Sequence, residues 1–248
     1  MKNKPFLLLC LSFVSVYLAV QLLVANFYLY IQYVLQAESQ VVFLIIIIQV
    51  VLGISILGWQ VVATKLRVKK PIFYVGCCLG VICCIFLTFI RSIWWVYIGS
   101  VVLGVAFGAV FLVPYALIPE IIDLDEQKVG CRREGLFYGL FVFLQKISTS
   151  IGLALGSFAL GVAGLDAEND NAPTAALIVL RVVVGAIPAV LFLFSMLPMF
   201  VYPYGKHANR KLSVFDDKEV ALDDVAAYQP PEMVIETDEK ANTTTNRR

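Results

Sequence analysis

The chain has 248 residues, 60% hydrophobic and 15% charged, with a mean hydropathy of +0.85 and a formal net charge of +1. A soluble domain is about half apolar and roughly one quarter charged, so this composition excludes one and points to a membrane. No Lys/Arg-rich stripe with interleaved aromatics is present, so no nucleic-acid partner is expected.

In chain order, six apolar runs are predicted to be spanning helices: Pro5–Leu35, Val41–Val62, Pro71–Ile90, Ile93–Ile118, Leu136–Gly161 and Thr174–Val201. Each can cross roughly 30 Å of hydrocarbon at about 1.5 Å per residue. The stretch Val41-Val-Phe-Leu-Ile-Ile-Ile-Ile48 would suit a buried strand, but its length with the following Leu52-Gly-Ile-Ser-Ile-Leu-Gly-Trp59 decides for a helix. The expected fold class is therefore an all-α membrane protein, with a six-helix domain over residues 1–203. Residues 204–248 are polar and mixed in charge, and are expected to form a disordered tail.

Cysteine usage carries no metal signal. Cys77, Cys78, Cys83 and Cys84 lie inside an apolar run, and the only histidine is His207 in the tail. They read as small packing residues. Without a His cluster, an activated nucleophile or a phosphate loop, no enzymatic activity is expected, and no cofactor.

Orientation follows from the cations. Lys2, Lys4, Lys65, Arg67, Lys69, Lys70, Lys128, Arg132, Arg133, Lys206, Arg210 and Lys211 fall on one side, and Arg91 alone on the other. Both termini are expected in the cytoplasm. Asn242-Thr243-Thr244 matches a glycosylation acceptor but falls on the wrong side.

None of the 18 Asp and Glu residues lies well inside a span; Glu120 stands at the end of the fourth. Two cations do, Lys146 and Arg181. Lys146 is about ten residues into the fifth span, roughly 15 Å deep, where an ionisable side chain is a functional-site candidate by default. Gly135, Gly139, Val142, Ser150, Leu153 and Ser157 fall within about 40° of it on a helical wheel. A cation among small and hydroxyl residues suits a cavity lining. Ser148, Gly152 and Gly156 form a separate small-residue row suited to close helix packing. Ser100, Gly104 and Gly108 form another on the fourth span, which Pro114 and Pro119 kink. Arg181 lies near the outer end of its span and is expected to snorkel to the interface. Tyr17, Gln21, Asn26 and Tyr30 offer polar contacts from the first span.

From Pro114 to Lys146 the chain carries Pro119-Glu120-Ile-Ile-Asp123, then Arg132-Arg133-Glu134-Gly135, then the lysine. This resembles the segment joining helices 10 and 11 of the glycoside–pentoside–hexuronide:cation symporters of the major facilitator superfamily. That family includes the melibiose carrier and is related to the sodium-dependent lysophosphatidylcholine symporters. Trp59-Gln60 ahead of Lys65, Lys69 and Lys70 resembles its loop between helices 8 and 9, and Pro5-Phe6-Leu7 with Phe27, Tyr30 and Tyr33 resembles its helix 7.

The resemblance implies that the six spans are equivalent to helices 7–12, the carboxy-terminal half of a secondary transporter. It implies symport of a glycoside, sugar or lysophospholipid, coupled to Na+ or H+ bound in an amino-terminal half. Substrate-cavity residues are then Lys146, Ser150, Ser157, Gln21, Asn26 and Tyr30. Glu120, Asp123, Arg132, Arg133 and Glu134 form a charged cytoplasmic loop expected to make a gate of ion pairs. The implied partners are a small-molecule or lysolipid substrate, the bilayer of the plasma membrane, and an amino-terminal half or a second half-chain. The alternative is a six-span scaffold or regulatory protein that has lost transport. The orientation is directly testable: a reporter fused after Arg248 should be cytoplasmic and a glycosylation tag inserted at Asp166–Asn171 should be modified. An unmodified tag overturns this topology.

Overall fold

The computed structural model describes residues 4–66, 69–90, 92–131, 133–162, 164 and 174–201. Helix α1 (Lys4–Leu29) runs into a π-helical turn (Tyr30–Val34), and a short 3-10 turn (Glu38–Gln40) leads into α2 (Val41–Leu66). Then come α3 (Lys70–Phe89), α4 (Ile93–Val129) and α5 (Glu134–Val162). The last span is α6 (Thr174–Arg181), a second π-helical turn (Val182–Ala186) and α7 (Ile187–Val201). Among the described residues, six spans are long and apolar enough to cross a membrane and there is no strand. The expected tail over 204–248 lies outside the described residues, as does the acidic stretch with Asp166, Glu168 and Asp170.

One predicted boundary moves far. The fourth helix, expected to stop at Ile118, continues through Asp123 and Asp125 to Val129. Pro114 and Pro119 sit within it, because an interior proline removes one hydrogen bond and bends a helix without having to end it. The stop comes at Gly130, in the left-handed conformation (φ 76°), whose N–H donates to the Glu126 carbonyl at 2.8 Å. Glycine takes that conformation without a Cβ clash, which makes it a common helix terminator. Glu120 and Asp123 are thus helical residues and not loop residues.

Packing divides the helices unequally. Helix α1 lies against α5 and α7, α4 lies against α2 and α3, and α3 also meets α7. Buried positions make up 56% and 61% of the apolar windows in the first and fourth spans, but only 17% and 22% in α2 and α5. Helices α1 and α4 are therefore central, and α2 and α5 each hold on by one side.

Small residues make those one-sided contacts close, as helix association in lipid requires. A Cβ on Gly104 would stand 2.8 Å from the Val51 Cβ and 3.0 Å from the Ile48 carbonyl, so α4 and α2 touch almost backbone to backbone. Ser55 Oγ and Trp59 Nε1 of α2 both donate to the Val105 carbonyl at 3.1 Å. On the other side, a Cβ on Gly152 would stand 3.1 Å from the Gln21 Cβ and 3.4 Å from the Leu22 nitrogen. The cysteines fill the packing of α3: the thiol of Cys83 donates to the Gly99 carbonyl of α4 at 3.3 Å, and Cys77 Sγ lies 3.5 Å from Ser195 Oγ of α7.

These contacts separate two kinds of glycine. Gly104→Leu should cost about 1–3 kcal/mol by overpacking. Gly53→Ala, where nothing lies within 4 Å, should be neutral or gain up to about 1 kcal/mol. Thermal midpoints of the detergent-solubilised variants measure this, and equal midpoints would refute the close α2–α4 contact.

Candidate functional site

Helix α5 has two faces. Phe137, Phe141, Ser148, Gly152, Gly156 and Leu160 are buried. Gly135, Gly139, Val142, Lys146, Ser150, Leu153 and Ser157 are all exposed. Nothing approaches within 4 Å of a Cβ built on Gly135 or Gly139. The face read from the sequence is open in this six-helix unit, beside an equally open apolar arc with Phe143, Ile147, Ile151 and Phe158. Lys146 lies twelve residues beyond Glu134, roughly 18 Å along the axis and near mid-span. Among the described residues no carboxylate is within ion-pair reach of its ammonium. Ser150 Oγ donates to the Lys146 carbonyl at 3.1 Å, so this hydroxyl is back-bonded to its own helix.

The residues expected from α1 are not on that face. Tyr30 is fully buried, and its hydroxyl donates to the Leu87 carbonyl at 2.5 Å. Asn26 is buried against Gly156, its Nδ2 donating to the Leu22 carbonyl at 2.8 Å. Gln21 is half-buried in the α1–α5 seam, its Nε2 donating to Thr149 Oγ1 at 3.1 Å. The reason is the central place of α1: its polar side chains enter helix contacts, where each must find a protein partner. Arg181 also has a structural part. Its NH1 donates to the Thr88 carbonyl at 3.5 Å, near where Tyr30 holds Leu87. Together they satisfy two of the carbonyls that the end of α3 leaves open, and a cation there complements the helix dipole.

At the opposite end, two ion pairs stand out among the described residues. Lys69, in the connection between α2 and α3, donates to Glu120 Oε1 at 2.7 Å and to the Ala116 carbonyl at 2.9 Å. Both acceptors flank Pro119, so the ammonium ties the α2–α3 connection to the kinked turn of α4. Arg133 makes a two-pronged contact with Asp125 Oδ2, at 2.6 Å from NH2 and 3.1 Å from Nε. That pair closes the connection around Gly130 and does not reach another span. Asp123 is in α4, Glu134 opens α5, and Arg132 lies outside the described residues. The single charged loop expected from sequence is thus replaced by an interhelical pair and a local one. In the sequence Lys69 is a topology signal and part of the family-like connection between helices, with nothing to pair it with Glu120, and Asp125 falls beyond the predicted end of the helix.

A third cluster went unread. Between α1, α4 and α5, Gln145 Nε2 donates to Tyr17 Oη at 2.7 Å and Tyr115 Oη donates to Gln145 Oε1 at 3.2 Å. Phe13 stacks on Phe141 with centroids 3.8 Å apart, and Tyr115 meets both rings edge-on. The signal available was an amide in an apolar span, next to the lysine that drew attention.

The described residues therefore form a multi-helix membrane unit with a mid-span cation on an exposed face. The family model described as MFS/sugar transport protein matches residues 1–206, and the chain belongs to that family. It is 27% identical over 237 residues to sodium-dependent lysophosphatidylcholine symporter 1-A of Danio rerio, covering 93% of this chain and 44% of that protein. It is 26% identical to a sphingosine-1-phosphate transporter of Xenopus tropicalis, over 90% of this chain and 42% of the relative. To a glucuronide carrier protein homolog of Escherichia coli it is 27% identical, over 82% of this chain and 44% of the relative. The chain spans less than half the length of these relatives, a ratio that matches one six-helix half of a symporter.

Proposed function

We propose that this unit is the carboxy-terminal half of a secondary transporter of the plasma membrane, working in cation-coupled symport with a complementary half. The observation that carries the reading is the open α5 face with Lys146 at its centre. Facilitator halves are related by an axis along the membrane normal and hold substrate between them, so a half standing alone leaves its cavity side uncovered. The least buried helices, α2 and α5, are the ones that a second half would cover. A second copy of this unit would bring another Lys146 and no mid-span carboxylate, whereas an amino-terminal half with acidic residues would supply both a counter-charge and a site for Na+ or H+.

The substrate is a small solute, sugar-like or lysolipid, that carries an anionic group. Lysophosphatidylcholine and sphingosine-1-phosphate are phosphate esters and glucuronides are carboxylates, so the relatives' names share an anion that a mid-span ammonium suits. Serines 150 and 157 lie on the same face as the cation. Uptake of labelled lysolipid or glucuronide by cells that express this unit together with its complementary half tests this. Lys146→Ala should abolish uptake with surface expression intact, and Lys146→Arg should retain part, because it keeps the charge but alters its reach. Normal uptake by the alanine variant removes Lys146 from the site.

The Lys69–Glu120 pair is our candidate for the gate at the charged, cytoplasmic end, which also carries Asp123 of α4 and Glu134 at the start of α5. Its side chains are 26% and 36% exposed, so it contributes only about 0–1 kcal/mol, weak enough to break on each cycle. Glu120→Gln should raise severalfold the reactivity of a cysteine placed at Val142 toward an impermeant thiol reagent applied from that end. Arg133→Ala, which breaks only the local pair, should not. Equal reactivity in the Glu120→Gln and parent proteins would rule the gate out.

A further inference from the structure

We propose that Gln145 is a positioning residue: by binding α1 and α4 at once, it fixes the rotation of α5 about its own axis and so aims Lys146 onto the open face. The proposal rests on the reading of that face as the transport site. It starts from a mechanical deficit. Helix α5 is held along one side only, and its contact with α4 is slight beyond Tyr115. Gly152 and Gly156 fit the later half of α5 closely to α1, but around Lys146 the apolar contacts, such as Phe141 on Phe13, are non-directional and leave the angle there to be set by other groups.

Hydrogen bonds can set it, since they weaken steeply off-axis. Gln145 uses both ends of its amide on different helices: it donates to Tyr17 of α1 and accepts from Tyr115 of α4. One turn further, Thr149 repeats the lock by accepting from Gln21 of α1 while donating to the Gln145 carbonyl at 3.0 Å. Two directional anchors a turn apart fix an angle, where one would only fix a point. Neighbouring residues on a helix are about 100° apart. A turn of α5 by one residue would therefore carry the ammonium of Lys146 toward the rings of Phe13 and Tyr115, or swing it toward hydrocarbon. In lipid no water substitutes for the lost bonds, so the correct angle is selected.

The rotation can be read directly. Nitroxide labels are placed one at a time at positions 142, 146, 147 and 150 of a cysteine-free protein in liposomes, and collision with oxygen and with a water-soluble nickel complex is measured. The angular phase of these accessibilities reports how α5 is turned, whatever medium covers it. Gln145→Leu should shift the phase by roughly 30° or more, a third of the spacing between neighbours. Tyr17→Phe combined with Tyr115→Phe should produce the same shift, and adding Gln145→Leu to that pair should change nothing more, since the three act as one unit. If Gln145→Leu elutes as aggregate, the double phenylalanine variant carries the test alone. An unchanged phase in the folded variants overturns the proposal. Collision of positions 142 and 150 with oxygen alone, in protein that keeps Lys146, would instead count against the polar-face reading, and leaves the phase comparison valid.

Discussion

Hydrocarbon offers no hydrogen-bond partner, and most of this structure can be derived from that constraint. Backbone groups are satisfied by making every span helical. Polar side chains are satisfied by helix contacts: Ser12 Oγ of α1 on the Ser195 carbonyl of α7 at 2.8 Å, Tyr30 on Leu87, and Trp59 on Val105. Against that background of paired groups, Lys146 stands apart, placed at mid-span with its ammonium away from every described carboxylate. A chain that finds partners for so many weak polar groups and leaves a full charge on an open surface has that surface reserved for something else.

The same constraint explains what the sequence made legible. Six spans could be read because apolar length is a one-dimensional property. The open face of α5 could be read because Gly139, Lys146, Ser150 and Ser157 share a helical angle, which needs no neighbour to compute. The close-packed rows at Gly104 and Gly152 were legible for the same reason. What escaped required knowing which helices meet. Asn26 and Tyr30 look like cavity residues until α1 is found at the centre of the unit. Gln145 looks unremarkable until Tyr17 and Tyr115 arrive from other helices, 128 and 30 residues away. The charged end was misread for a local reason: the apolar run ends at Ile118, but the helix continues through polar residues until Gly130 stops it.

The two ends of the unit are built on different principles. At the end where α3 finishes, Tyr30 and Arg181 cap its carbonyls and Gly185 brings the second π-helical turn against Cys84 and Thr88, a dry and closely fitted arrangement. At the other end, contacts are ionic and part-exposed, and Lys69 holds α4 beside the proline that weakens it. The bundle is thus held at one end by close packing and at the other by part-exposed charges, so its weaker contacts lie at the second end.

The seam between α1 and α5 has a consequence for how the protein is made. Asn26 is packed against Gly156, and Gln21 is paired with Thr149, 128 residues further along the chain, so the α1 side of this seam is made well before its partner. At cellular rates of chain elongation the interval is on the order of ten seconds. Until Thr149 is made, the side-chain amide of Gln21 has to find its partner outside α5, and a nascent chain halted before Thr149 isolates that state.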